Sequence, residues 1–177
     1  NEGGLAFEQD ISSPHALLLT DAGGTLTIFP DGTVSDPSAF SITGDTYTLL
    51  RDITVAYPDS LGILIQKGNI VLDGNGHNIS AVGPYYWGRG IMISGYGLSN
   101  IKIKNFSISG FRSEGMVLIG AIFSEISNST FTNNGYGVYL GGTQYCAVSS
   151  STFISNMYGI YAAGQNDTID ANIIKKS

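Results

Sequence analysis

Between residues 61 and 177 apolar positions recur in a fixed order and at a nearly fixed distance. The segments Gly90-Ile91-Met92-Ile93, Gly115-Met116-Val117-Leu118, Gly137-Val138-Tyr139-Leu140 and Gly159-Ile160-Tyr161-Ala162 begin 25, 22 and 22 positions apart. Gly62-Ile63-Leu64-Ile65 precedes the first of them by 28, the extra length reading as a loop around Gly83-Pro84-Tyr85-Tyr86-Trp87-Gly88. A second element keeps step with the first. Ile103 with Ile108, Ile126 with Phe131, Val148 with Phe153 and Ile169 with Ile174 are each five residues apart. Phe111, Asn134, Asn156 and Ser177 stand three residues beyond the second member of each pair. Gly, Asn, Ser and β-branched residues dominate and no stripe of period 3.6 persists, so a helical reading fails.

A period of about 22 residues made of three short alternating segments predicts one turn of a triangular β-solenoid. Each turn gives three short strands, and successive turns stack at about 4.8 Å through parallel ladders. Alternate Ile, Val, Leu and Phe point inward, with Ile103, Ile126 and Val148 in one ladder and Ile108, Phe131 and Phe153 in another. Asn and Gly mark the corners, where left-handed backbone is needed.

These repeats resemble those of right-handed parallel β-helix proteins, the pectate-lyase-like superfamily in its non-catalytic, secreted or surface branch. Ile28-Phe29-Pro30-Asp31-Gly32-Thr33-Val34, Thr46-Tyr47-Thr48-Leu49-Leu50-Arg51-Asp52-Ile53 and Ile70-Val71-Leu72-Asp73-Gly74-Asn75-Gly76 resemble the usual opening of archaeal members. The expected fold is all-β: a right-handed parallel β-helix with an N-terminal β segment. Residues 25–177 form one domain, with clear repeats over 61–177, and residues 1–24 form an N-terminal arm. The resemblance specifies fold more than function, since this scaffold hosts lyases, hydrolases, adhesins and inert walls.

Composition narrows the partners. The chain of 177 residues is 42% hydrophobic and 12% charged, about half the usual charged share, with a net charge of −6. An acidic, lysine-poor surface repels phosphate backbones, which argues against nucleic acid. No run approaches the roughly 20 apolar residues of a spanning helix, so no membrane-spanning segment is expected. The single Cys146 excludes an internal disulfide framework. The chain starts at Asn1 with no leader ahead of it, which fits either a removed signal peptide or a trimmed chain. Four N-x-S/T sequons, at Asn78, Asn105, Asn128 and Asn166, are candidate N-glycosylation sites and favour an extracellular or cell-surface location.

The resemblance implies a search for clustered acids, because enzymatic members cleave polysaccharides with them. A hydrolytic site needs two carboxylates roughly 5–9.5 Å apart. Over residues 61–177 the acids are Asp73, Glu114, Glu125, Asp167 and Asp170, none adjacent to another. Asp167 and Asp170 come nearest to a pair and read as solvated turn residues. Arg89 and Arg112 fall near corners without an evident acid partner. Asn75-Gly76-His77 reads as a corner turn with His77 as a hydrogen-bonding residue, and Cys146 as a small core residue. No catalytic residue, cofactor or transition-metal site is expected; a structural Ca²⁺ on loop oxygens stays open as an alternative.

Two surfaces remain. The middle residue of each Gly-led strand points outward, giving a stripe of Leu64, Met92, Val117, Tyr139 and Tyr161. Such a stripe marks a contact: cover by the N-terminal segment or a loop, a lateral interface through Tyr139 and Tyr161, or stacking on sugar rings. The other surface is the last coil, whose edge around Ile169 and Ile174 offers a template for another strand. Leu17, Leu18 and Leu19 in the N-terminal arm are candidate anchors for that strand. The leading expectation is an extracellular structural protein, a homo-oligomer or homopolymer stacking head to tail into a filament or surface layer. A carbohydrate-binding or polysaccharide-degrading β-helix is the alternative.

Overall fold

The computed structural model describes residues 24–56, 61–83 and 87–176. Three parallel sheets run along the molecule. The first holds Leu26–Ile28, Leu61–Ile65, Arg89–Ser94, Glu114–Ile119, Tyr136–Gln144 and Tyr158–Gln165 in that spatial order. The second holds Phe40–Thr43, Thr46–Leu49, Ile70–Asp73, Ile101–Lys104, Glu125–Ser127, Ala147–Ser149 and Thr168–Asp170. The third holds Ile53–Val55, Asn78–Ala81, Ser107–Ser109, Thr130–Thr132, Thr152–Ile154 and Ile173–Lys175. Each coil visits the three in turn, so every strand except Phe40–Thr43, which pairs antiparallel with Thr46–Leu49, meets its counterpart one coil away.

The inward ladders have the register that the repeat predicts. Ile126 pairs with Ile103 on one side and Val148 on the other, and Phe131 pairs with Ile108 and Phe153 in the same way. All six are buried. The rings of Phe131 and Phe153 stack with centroids 4.9 Å apart and planes 6° from parallel.

The corners are built from two devices. Asn69, Asn100, Asn105, Asn128, Asn133 and Asn166 take left-handed φ values between 49° and 60°, which Asn tolerates better than most residues. Beside most of the corners, a side chain of one coil receives a backbone N–H from the coil before it. Ser124 Oγ accepts from Ile101 at 3.3 Å, Ser129 Oγ from Phe106 at 3.2 Å and Asn134 Oδ1 from Phe111 at 3.1 Å. One coil later Ser151, Asn156 and Asp167 do the same for Ser129, Asn134 and Cys146. Corner donors that the sheets cannot pair are thereby satisfied inside the wall.

The solenoid begins one coil earlier than the Gly-led series indicates. Leu26–Ile28, Thr46–Leu49 and Ile53–Val55 pair in parallel with the next coil. An insertion between the first two of these strands hides the period. It folds back over the first coil's outer edge: Val34 bridges Ile28, Ser35 N–H donates to Thr27 O at 3.0 Å, and Phe40–Thr43 pairs antiparallel with Thr46–Leu49. The edge of the first coil is therefore covered on two of its three sheets by residues of the same chain.

Candidate functional site

The inward positions of the last described coil are exposed where those of the coils before it are closed. Ile169 continues the column of Val148, and Ile174 that of Phe153. Val148 and Phe153 are wholly buried, whereas Ile169 is 48% and Ile174 63% exposed. Ala162 and Ile173 on the same coil are exposed as well. The result is an apolar end face bounded by strand edges.

The second surface is lateral, and the two do not merge into one site. Leu64, Met92, Val117, Tyr139 and Tyr161 pair in register on the outer face of the first sheet, as the alternation predicts. The stripe is not uniformly open: Val117 is only 2% exposed, while Tyr161 at the far end is 42% exposed. Leu64, Met92 and Tyr139 are half-buried, and the aromatic end of the stripe is the most open. Tyr139 and Tyr161 stack at 5.0 Å, and a second column missed at the level of sequence adds Tyr136 and Tyr158, stacked at 4.8 Å. Tyr136 also meets the edges of Tyr139 and Tyr161, at 5.7 and 5.8 Å, so the four rings form one cluster. The available signal was the recurrence of Tyr one residue before the repeat glycine, at positions 136 and 158, which the 22-residue period sets one above the other.

A further aromatic pair lies at a corner. Phe123 and Tyr145 are stacked at 5.2 Å and are 58% and 52% exposed. Both have left-handed φ, in the column where Asn69, Asn100 and Asn166 stand in other coils. Bulky side chains are costly there.

Several single-residue expectations change in the folded chain. Asp167 is not a solvated turn residue: its carboxylate accepts Thr143 Oγ1 at 2.6 Å and the Cys146 N–H at 2.9 Å, pinning the last coil to the one before. Asp170 is exposed. Arg89 has an acid partner, Glu114, at 2.7 Å across one coil spacing. Cys146 is buried, and that burial pushes its thiol pKa up. Among the described residues no three His, Cys, Asp or Glu side chains gather as metal ligands, and no helix is long and apolar enough to cross a membrane. Leu17, Leu18 and Leu19 lie outside the described residues.

His77 sits in the turn after Gly74, as its sequence context suggested, and its Nδ1 is 2.9 Å from Asp52 Oδ1. Asp52 also accepts the Asn78 N–H at 2.9 Å. The Asn78 N–H, more than His77, holds the Asp52 carboxyl below its ordinary value although burial pushes it up. Hydroxyl donors lower Asp31 and Asp36 similarly, from Thr33 and Ser38. Groups whose folded pKa lies below the unfolded one stabilise the fold above the unfolded value, and that contribution is lost as pH falls through the folded value. The melting temperature is therefore expected to fall as pH drops below about 4. Asp52→Asn should shrink that acid dependence in a calorimetric series; an unchanged series would show that the clamp is not formed in solution.

Three parallel sheets wound by one chain define a three-sided β-solenoid. A family model described as the right handed beta helix region matches residues 38–177, and the chain belongs to that family. No curated protein and no solved structure matches it.

Proposed function

We propose that this is an extracellular structural protein of the non-catalytic, secreted branch, which stacks end on end into a filament or surface layer. What supports the reading is the apolar edge of the last described coil, where Ile169 and Ile174 stay exposed at inward positions. Another strand layer on that edge would bury both side chains, at roughly 25 cal/mol for each Å² removed from water, and pair the open backbone groups. The first coil's edge is already taken by the chain's own insertion on two sheets. The layer is therefore assigned to the N-terminal arm of the neighbour, with Leu17, Leu18 and Leu19 as its apolar anchors. A heterologous contact of this kind does not close on itself and yields an open-ended assembly.

Light scattering and electron microscopy of the whole chain across a concentration series test the reading. Intact protein should elongate, and an Ile169→Lys, Ile174→Lys double variant should stay monomeric with an unchanged β-sheet spectrum. A monodisperse monomer at high concentration, or fibres that persist in the double variant, would refute axial stacking through this coil.

A second reading is favoured by the tyrosine cluster, whose parallel rings suit stacking on sugar rings. Glycan-array binding lost in Tyr161→Ala, with assembly unaffected, would move the chain to the carbohydrate-binding class.

A further inference from the structure

The four sequons sit in three different environments. Asn78 opens a strand; its backbone N–H donates to Asp52 Oδ1 at 2.9 Å and its amide nitrogen lies 3.4 Å from Oδ2. Asn105 is a half-buried corner residue whose Nδ2 donates to Asp73 Oδ1 at 2.9 Å. Asp73 is itself held in place by Lys104 Nζ at 3.2 Å and by the Asn75 N–H at 2.9 Å. Asn128 and Asn166 are exposed corner residues with φ of 49° and 57°. Among the described residues no carboxylate takes their amides.

The rest of each tripeptide is arranged alike in these last two. The middle residue turns into the wall and is tied there: Ser129 Oγ donates to Ser127 O at 2.9 Å, and Asp167 accepts Thr143 Oγ1 at 2.6 Å. The residues on either side, Asn128 with Thr130 and Asn166 with Thr168, consequently face outward together. Thr130 and Thr168 begin their strands with side chains half-exposed and exposed.

We infer that the fold sorts the sequons, making Asn128 and Asn166 acceptors for an N-linked glycan and withholding Asn105 and Asn78. The donor is an oligosaccharide joined through pyrophosphate to a polyprenyl lipid. A bond forms between the amide Nδ2 and the anomeric carbon, the bond from that carbon to the phosphate oxygen breaks, and the lipid pyrophosphate leaves with the electron pair. One amide proton passes to a base of the transferase. At Asn105 the same nitrogen must first release a carboxylate, and a hydrogen bond to a charged group makes the free amide scarcer by about tenfold. In the cell this rests on the extracellular reading; with purified components it does not.

The test is transfer in vitro. Folded, unmodified full-length chain is incubated with a single-subunit oligosaccharyltransferase and lipid-linked oligosaccharide, and glycopeptides are followed over time by mass spectrometry. Glycan should accumulate on Asn128 and Asn166 at least about tenfold faster than on Asn105. Asp73→Ser, shown by circular dichroism to keep its fold, should bring Asn105 up to the rate of Asn128. Equal rates at all four asparagines, no transfer to Asn128 or Asn166, or no gain at Asn105 in the Asp73 variant would each overturn the assignment. None of these outcomes bears on filament formation, which is read separately.

Discussion

Phe131→Ala is expected to destabilise the chain by about 3–5 kcal/mol, near the top of the range for a single truncation in a core. The ring is wholly buried, sits in register between Ile108 and Phe153, and stacks on Phe153 at 4.9 Å. Its loss leaves a hole bounded above and below by coils whose separation is fixed by backbone hydrogen bonds. A solenoid cannot collapse such a hole along its axis without breaking ladders in all three sheets. The stacking contribution lost with the ring adds to the transfer and cavity costs. Urea denaturation followed by circular dichroism gives the difference directly. A loss below about 1 kcal/mol would mean that the coils relax around the hole, contrary to a ladder held at fixed spacing.

The sequence made this core legible because a strand has period two and the coil has a nearly constant length. Once Gly90, Gly115, Gly137 and Gly159 are aligned, the inward residues follow by alternation alone. Where coil length varies, alternation no longer fixes the register. The first coil reads as an N-terminal β segment rather than as a repeat because its insertion separates Leu26–Ile28 from Thr46–Leu49, although both strands pair as regular members of their sheets. Side-chain partners across coils were less accessible still. Arg89 and Glu114 are 25 residues apart, and Asp167 reaches Thr143 across 24. Only the register brings such residues together. The doubling of the tyrosine column by Tyr136 and Tyr158 was not legible from alternation either. Assigning the repeat glycine to a corner concealed that the residue before it already belongs to the strand.

That glycine supplies the second large effect, because its place in the strand gives it a steric role. Gly62, Gly90, Gly115 and Gly137 are all buried, and none has the positive φ that would explain glycine by backbone freedom. A Cβ on Gly90 would stand 2.4 Å from the carbonyl oxygen of Gly115 in the next coil and 2.8 Å from Ile108 Cγ2. At Gly62 and Gly137 the next coil's carbonyl is 2.6 Å away. A backbone oxygen in a parallel ladder cannot retreat without lengthening its own hydrogen bonds. Gly90→Ala is accordingly expected to cost about 3 kcal/mol, the upper part of the range for overpacking. An alanine that fits would instead stabilise by about 0.4–1 kcal/mol through the unfolded chain. Gly159 occupies the same repeat position, but there the nearest atoms to an added Cβ are Ile174 Cγ2 at 3.4 Å and Cδ1 at 3.5 Å, which is ordinary contact. Gly159→Ala should thus leave the stability of the isolated protomer unchanged or slightly raised, opposite in sign to Gly90→Ala. If a further coil is layered on the last one during assembly, its carbonyl must approach Gly159 as that of Gly115 approaches Gly90. The same alanine would then block elongation in a protein that is otherwise fully folded. Denaturation curves and light scattering on this one variant separate the two effects: filaments that grow normally from stable Gly159→Ala protein would show that no coil is layered there.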